Sequence, residues 1–517
     1  MASRTITLDG ARTRPSDITD IACAGARVSL APEGLDRAAG ACRAAVEIAA
    51  RRPFYGRTTG VGANRSQDAG DDGGHDLRLL RSHAGGIGPH LPDAHVRAML
   101  AVRANQILAG GAGLQPAFAE ALAAALNSGY LPRIHEIGGL GTGDLTALAE
   151  TGLTLIGERP WAGPHAPTGP SSAGRSPSSR EPQPGEPPGS GSDGGAGPGG
   201  GTAPEPIVLR AGDALAFCSS NALTVGQAAL GWSQIAGLLA ATHVVAALSL
   251  LAVDGSAEPY DERVHARRPH PGGVAVASEM RRLLGDAHPA GARVQDPFGY
   301  RCLPQVHGPA VDAAAALARV LEIEINAASE NPLVSAADLT VHHHGGFHQA
   351  TLGLTLDHLR VALLHTAHLS AARLATLMEP AFTGLRPFLA EGPPASSGAM
   401  ILEYSANSAL AGLRNAAYPA ALGHAVLSRG MEEHASFAAQ SARQTLEAAS
   451  AYRLVLACEL VAAVRALRGR GARPAPPAPV AAAFATAAAE LDADAADRPL
   501  SADVETASFL LDRLAAL

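Results

Sequence analysis

The sequence predicts a mainly α protein built on a central bundle of long helices, with a smaller mixed region at its N-terminus. Two observations carry this. The apolar share is 47% while aromatics make up only 4%, so the core is assembled chiefly from Ala, Leu and Val, and Ala and Leu are strong helix formers. Helical patterns also run on over stretches of roughly 25 to 40 residues, far beyond the ordinary mean of about 11–12.

Taken in order, Thr5-Ile6-Thr7-Leu8 reads as a short strand and the chain through Ala38 to Arg51 as a helix. A second helical stretch spans Ala94 to Gly129, interrupted at Gly110-Gly111-Ala112-Gly113. Residues 160–205 are Pro, Gly and Ser with few large apolar groups, a composition that cannot build a packed core. They are expected to form a flexible insertion, since helical chain resumes on both sides. Beyond it, long helices are predicted over 212–253, 308–328, 348–378, 398–428 and 432–468, with a helical tail from 476. This divides the chain into an N-terminal part, 1–210, and a bundle, 211–517; no internal repeat is evident.

The formal charge is −8, from 40 basic and 48 acidic residues. That leaves no basic face of the kind nucleic acid requires, and a small molecule is the expected partner. Five cysteines without a CxxC pair indicate neither a disulfide framework nor a structural zinc site, and no metal or nucleotide site is expected. The N-terminus lacks the apolar segment of a signal peptide. The longest apolar run, 235–253, is Ala-rich and broken by Thr242, His243 and Ser249, which suits a buried helix better than a membrane span. A cytoplasmic protein that engages no membrane is the expectation.

Three stretches invite chemistry. Gly139-Leu140-Gly141-Thr142-Gly143-Asp144 puts three glycines in five residues straight before a helix, with Asp144 placed to cap it. Phe54-Tyr55-Gly56-Arg57-Thr58-Thr59-Gly60 is a loop with one prominent tyrosine, suited equally to an active site or a plain surface. His83 precedes Ala84-Gly85-Gly86, where a lone histidine is more often a core or capping residue than a catalyst.

These pieces come with others in a fixed order: YGRTTGVG, SHAGGIG, GLGTGDLTALAE, VQDPFGYRCLPQVHG, then ENPL at 330–333, GGFH at 345–348 and EEH at 432–434. Together they resemble the histidine and aromatic amino acid ammonia-lyase family across nearly the whole chain, the insertion excluded. The resemblance implies the fold of that family, a homotetramer with active sites assembled from three subunits, and an electrophilic methylidene-imidazolone made when an Ala-Ser-Gly tripeptide cyclises and loses water. The aligned tripeptide here is Gly141-Thr142-Gly143. An α-amino acid has a poor leaving group and a weakly acidic β-proton, so elimination needs an electrophile and a positioned base. Carried over by position, Tyr55 is the base, Arg301 the partner of the substrate carboxylate, His83 a selectivity residue, and Glu432 an acidic residue typical of the histidine-specific branch. Gln295, Gln305, Asn331 and Phe347 are expected in the pocket wall.

The departures concentrate at the ring. Gly141 and Thr142 replace Ala and Ser, and a Thr-derived ring would carry a methyl on its reactive carbon. The Asn of the family's Asn-Gly-Thr motif aligns with Ser219, in Ser219-Ser220-Asn221. The Tyr of its QDPYS segment is Phe298, Thr58 replaces an Asn, and Met431 replaces a Gln. Losing a hydroxyl and an amide together removes groups that would stabilise negative charge on the electrophile. The readings that follow are a lyase on histidine or a related aromatic amino acid, the same scaffold running another elimination, an aminomutase reaction or a cyclisation without the usual ring, and a catalytically silent homologue.

Overall fold

Alternating burial along β1 (Thr5–Leu8) reflects its place in a two-stranded parallel sheet with β2 (Arg27–Leu30), paired Thr5 to Arg27 through Leu8 to Leu30. The computed structural model describes residues 4–70, 73–164, 202–285 and 291–517; the expected flexible insertion lies mostly outside the described residues. Two further small antiparallel sheets follow, β3 (Ile87–His90) with β4 (His135–Ile137) and β5 (Leu333–Ser335) with β6 (Thr340–His342).

The rest is helical. The N-terminal part carries α1 (Pro15–Cys23), α2 (Pro32–Ala49), α3 (His75–His83), α4 (Asp93–Ala109), α5 (Ala117–Ser128) and α6 (Leu145–Leu155). The bundle adds α7 (Asp213–Cys218), α8 (Ala222–Ala252), α9 (Glu262–Ala266), α10 (Pro271–Leu284), α11 (Phe298–Arg301), α12 (Leu303–Ile325) and α13 (Ala350–Leu377). It closes with α14 (Pro380–Thr383), α15 (Ile401–Ala416), α16 (Ala438–Gly469), α17 (Pro479–Glu490) and α18 (Ser501–Leu514). This is the mainly α architecture the composition predicts.

Apolar on all sides, α8 sits at the centre, packed against α16, α4 and α12. Its length and apolarity would suit a bilayer, yet 78% of the most apolar window is buried inside the protein. One contiguous core runs from Ile6 to Leu514, and a small second cluster under α2 gathers Ala41, Ala45, Phe54 and Val334.

Three predicted helix limits are corrected. The 212–253 stretch breaks at Ser219-Ser220-Asn221 into α7 and α8. The 398–428 stretch ends at Ala416, because Pro419 lacks the N–H to continue it and disfavours helix in the residue before. The 432–468 stretch begins only at Ala438, since Phe437 takes a left-handed conformation and 432–436 folds back over the glycine turn.

Candidate active site

Of the residues singled out from the sequence, most line one cavity, and the buried Gly141 lies just outside that lining. The cavity, about 820 Å³, is lined by Tyr55, His83, Thr142, Gly143, Ser219, Phe347, Met431 and Glu432, together with Asn331 and His343. Gln295, Phe298, Arg301 and Gln305 are not among its lining residues. Phe298 is 63% exposed and Arg301 stacks its guanidinium 4.4 Å from that ring's centre, leaving Nε buried without a partner.

Tyr55 is held by its own loop. The Gly62 N–H donates to the phenolic oxygen at 2.7 Å, and the next amide, Ala63, donates to Ser428 Oγ at 3.0 Å, docking the loop on the turn that carries Glu432. Burial pushes the Tyr55 phenol up; the Gly62 N–H works against this, and the Glu432 carboxylate adds to it. His83 ends α3, with Nδ1 2.9 Å from the Leu79 carbonyl. A carbonyl only accepts, so in the neutral ring Nδ1 carries the hydrogen and Nε2 is the free acceptor.

Asp144 stands at the N-terminus of α6 as expected, but its side chain does not cap that helix. It accepts from Thr224 N at 2.8 Å and Thr224 Oγ1 at 2.9 Å, capping the first turn of α8 and pinning the glycine turn to the bundle. Full burial raises its pKa from 3.8 to about 6, against the opposing Thr224 hydrogen bonds. A carboxyl raised in the folded state favours folding below its unfolded value and gives that up as pH rises through its folded value. Stability is therefore expected to fall by roughly 3 kcal/mol between pH 3.8 and about 6 through this group, and Asp144→Asn to flatten that limb in denaturant titrations across the same range.

The loss of an amide at Ser219 is made good two residues on. Asn221, fully buried, accepts the Gly143 N–H on Oδ1 at 3.0 Å and donates from Nδ2 to the Phe347 carbonyl, which fixes its orientation. Ser219 instead accepts the Asn331 N–H at 2.9 Å. Sequence reasoning also missed Ser436, whose hydroxyl donates to the Gly141 carbonyl at 2.8 Å. It lies two residues past the EEH motif, the one signal that could have marked it.

The turn conformation tests the family's ring. Gly141 has φ +81°, and a Cβ there would lie 2.0 Å from Ser436 Oγ and 2.7 Å from the Ala438 backbone nitrogen. The methyl-bearing ring of an Ala-Ser-Gly precursor does not fit. Gly141→Ala, which restores the family residue, is expected to cost about 1–3 kcal/mol from backbone strain alone, read as a lower denaturation midpoint; a wild-type midpoint would contradict this packing. A ring from Gly141-Thr142-Gly143, which lacks the methyl at its first residue, meets a second difficulty. A five-membered imidazolone from three residues closes by joining the Gly143 nitrogen to the Gly141 carbonyl carbon, which removes that nitrogen's hydrogen and that carbonyl's oxygen. The hydrogen is held by Asn221 Oδ1; the oxygen is held by Ser436 Oγ and, at 3.3 Å, the Gln349 N–H. All three partner residues are buried, and each orphaned group would cost about 1–3 kcal/mol. The residues present do not fit the ring.

A tyrosine, a histidine and a carboxylate thus line one cavity beside a glycine turn at a helix N-terminus. The profile of the aromatic amino acid lyase family matches residues 13–186 and 199–490, the gap falling within the Pro/Gly/Ser insertion. The chain is 34% identical over 519 residues to histidine ammonia-lyase of Sorangium cellulosum, covering 96% of this chain and 95% of that one. It is 34% identical to the enzyme of the same name from Geobacillus kaustophilus, covering 81% and 80%. The fold superposes on tyrosine aminomutase from Streptomyces globisporus with a TM-score of 0.85 at 25% identity, covering 99% and 97%. Histidine ammonia-lyase from Trypanosoma cruzi gives 0.84 at 24%, covering 98% and 93%. The chain belongs to the aromatic amino acid lyase family. It is a carbon–nitrogen lyase of the ammonia-lyase type.

Proposed function

We propose that this enzyme eliminates ammonia from histidine or a related aromatic α-amino acid in the cytoplasm, as a homotetramer. The observation that carries the reading is the meeting of Tyr55, His83 and Glu432 around one cavity, which unites a base with groups suited to a polar aromatic side chain. Tyr55 takes the β-proton, Glu432 and His83 Nε2 hold the substrate's ring, and the amine leaves from Cα. The similarity to enzymes named histidine ammonia-lyase supports the substrate class.

The carboxylate partner comes from a second subunit in this reading. Phe298 is exposed in the single chain, with the half-buried Arg301 guanidinium stacked on its ring, as suits a surface completed by assembly. Exposed Ile323 on α12, Leu354 and Val361 on α13, and Ile401 and Tyr404 on α15 give the bundle the apolar outer surface an obligate oligomer buries. Light scattering is expected to give four times the 52.3 kDa chain mass; a monomer would contradict it.

The test is a substrate panel of L-histidine, L-phenylalanine and L-tyrosine, with ammonia and the conjugated acrylate product followed together. Histidine is expected to be converted. Loss of ammonia from none of the three would overturn the reading. A silent homologue is disfavoured because Tyr55, His83 and Glu432 persist while the changes fall around the turn.

A further inference from the structure

Closure of the family's ring would strip from this turn the one hydrogen and the one oxygen that its buried neighbours hold. Asn221 Oδ1 is aimed at the Gly143 N–H and cannot be turned, because its Nδ2 is committed to the Phe347 carbonyl. Ser436 Oγ and the Gln349 N–H are likewise aimed at the Gly141 carbonyl oxygen. The turn is further fixed by the Asp144 N–H, which donates to the Ser220 carbonyl at 2.7 Å. The bonds of Asn221 Oδ1, Ser436 Oγ and the Gln349 N–H with the turn are made only while the tripeptide is intact. Thr142, meanwhile, lines the cavity.

We propose that Gly141-Thr142-Gly143 stays an open tripeptide in the working enzyme, and that its substrates are α-amino acids whose own side chain is a basic heteroaromatic ring, held protonated by Glu432. This rests on the reading of Tyr55 as base. Without the electrophile, something else must make the β C–H acidic. A neutral phenyl or phenol ring places no positive charge beside Cβ, whereas a protonated imidazole does. Tyr55, as phenolate, takes the β-proton; the C–H electron pair forms Cα=Cβ as the Cα–N bond breaks, and the α-ammonium departs as ammonia. The products are a protonated heteroaryl acrylate, ammonia and neutral Tyr55, with the same total charge as the reactants. Thr142 serves here as a hydrogen-bonding side chain toward the substrate, and its hydroxyl is never eliminated.

The decisive measurement is the mass of the intact chain and of the peptide containing residues 141–143. The expected result is the mass of the sequence; a deficit of two waters, about 36 Da, located in that peptide overturns the proposal whether or not a substrate is known. Thr142→Ala is expected to keep elimination within about tenfold of wild type, the scale of one hydrogen bond. A loss of a thousandfold or more would assign Thr142 to a ring precursor and overturn the proposal. Phenylalanine is expected to be inert where histidine is converted, and comparable kcat/KM for the two overturns the substrate half. A chain of unmodified mass that converts no amino acid overturns the lyase reading and the substrate half with it, while the open tripeptide stands.

Discussion

Tyr55→Phe is expected to lower kcat by about a thousandfold, within the 10²–10⁴ range for removal of a general base, with little change in the thermal midpoint. The ring stays in its loop and only the hydroxyl that accepts the Gly62 N–H is lost. The pH profile gives the sharper signature. Burial, with Glu432 adding to it, raises the Tyr55 phenol above its ordinary value of 10.0, and the base acts only when deprotonated. Activity should therefore climb with pH past neutrality without levelling at physiological pH. Glu432→Gln removes one of the raising charges and should move that limb to lower pH, while raising KM for a cationic ring. A Tyr55→Phe enzyme with wild-type kcat, or a wild-type profile flat from neutral to alkaline pH, would remove Tyr55 from the reaction.

Arg373→Met is expected to cost about 3–5 kcal/mol, the penalty for leaving one member of a buried ion pair uncompensated. Arg373 and Glu459 are both fully buried, joined through Nε–Oε1 at 2.6 Å and Nη2–Oε2 at 2.8 Å. Glu459 also accepts from Ser249 at 2.7 Å and Ser370 at 2.6 Å, so the pair ties α8, α13 and α16 together. The pair also seats α11. Arg373 Nη1 donates to the Gly299 carbonyl at 3.1 Å. A Cβ at Gly299 would lie 2.9 Å from Arg373 Cγ, so only glycine allows α11 this close. Arg373→Met should therefore lower the urea midpoint sharply and, on the proposal that Arg301 serves a second subunit's site, raise KM through its loosened seat. A variant with an unchanged midpoint would show that the pair contributes nothing net.

Much of this was legible in the sequence for physical reasons that can be named. Ala- and Leu-rich stretches such as 222–252 and 350–377 have strong helix propensity over many turns, so their existence was plain. Their ends depended on single residues: Pro419 stops α15, and the left-handed Phe437 delays α16 until 438. At the site, Tyr55, His83, Thr142 and Glu432 were legible as motif positions, and they line one cavity. Phe298 and Arg301 do not line that cavity, and spacing along the chain does not say which segments fold around one space. Asn221 and Ser436 were hidden because they act on backbone atoms of the turn. Such contacts depend on how two segments fold over each other, Gly141 against Ser436 across 295 positions, and leave no local pattern.

Breakage of a carbon–nitrogen bond in the cavity beneath Tyr55 is tested by measuring ammonia and unsaturated acid released from L-histidine by wild type and Tyr55→Phe side by side. Wild type is expected to give equal amounts of the two products and the variant, over the same time, almost none. Ammonia without the unsaturated acid, or equal release by both proteins, would contradict it.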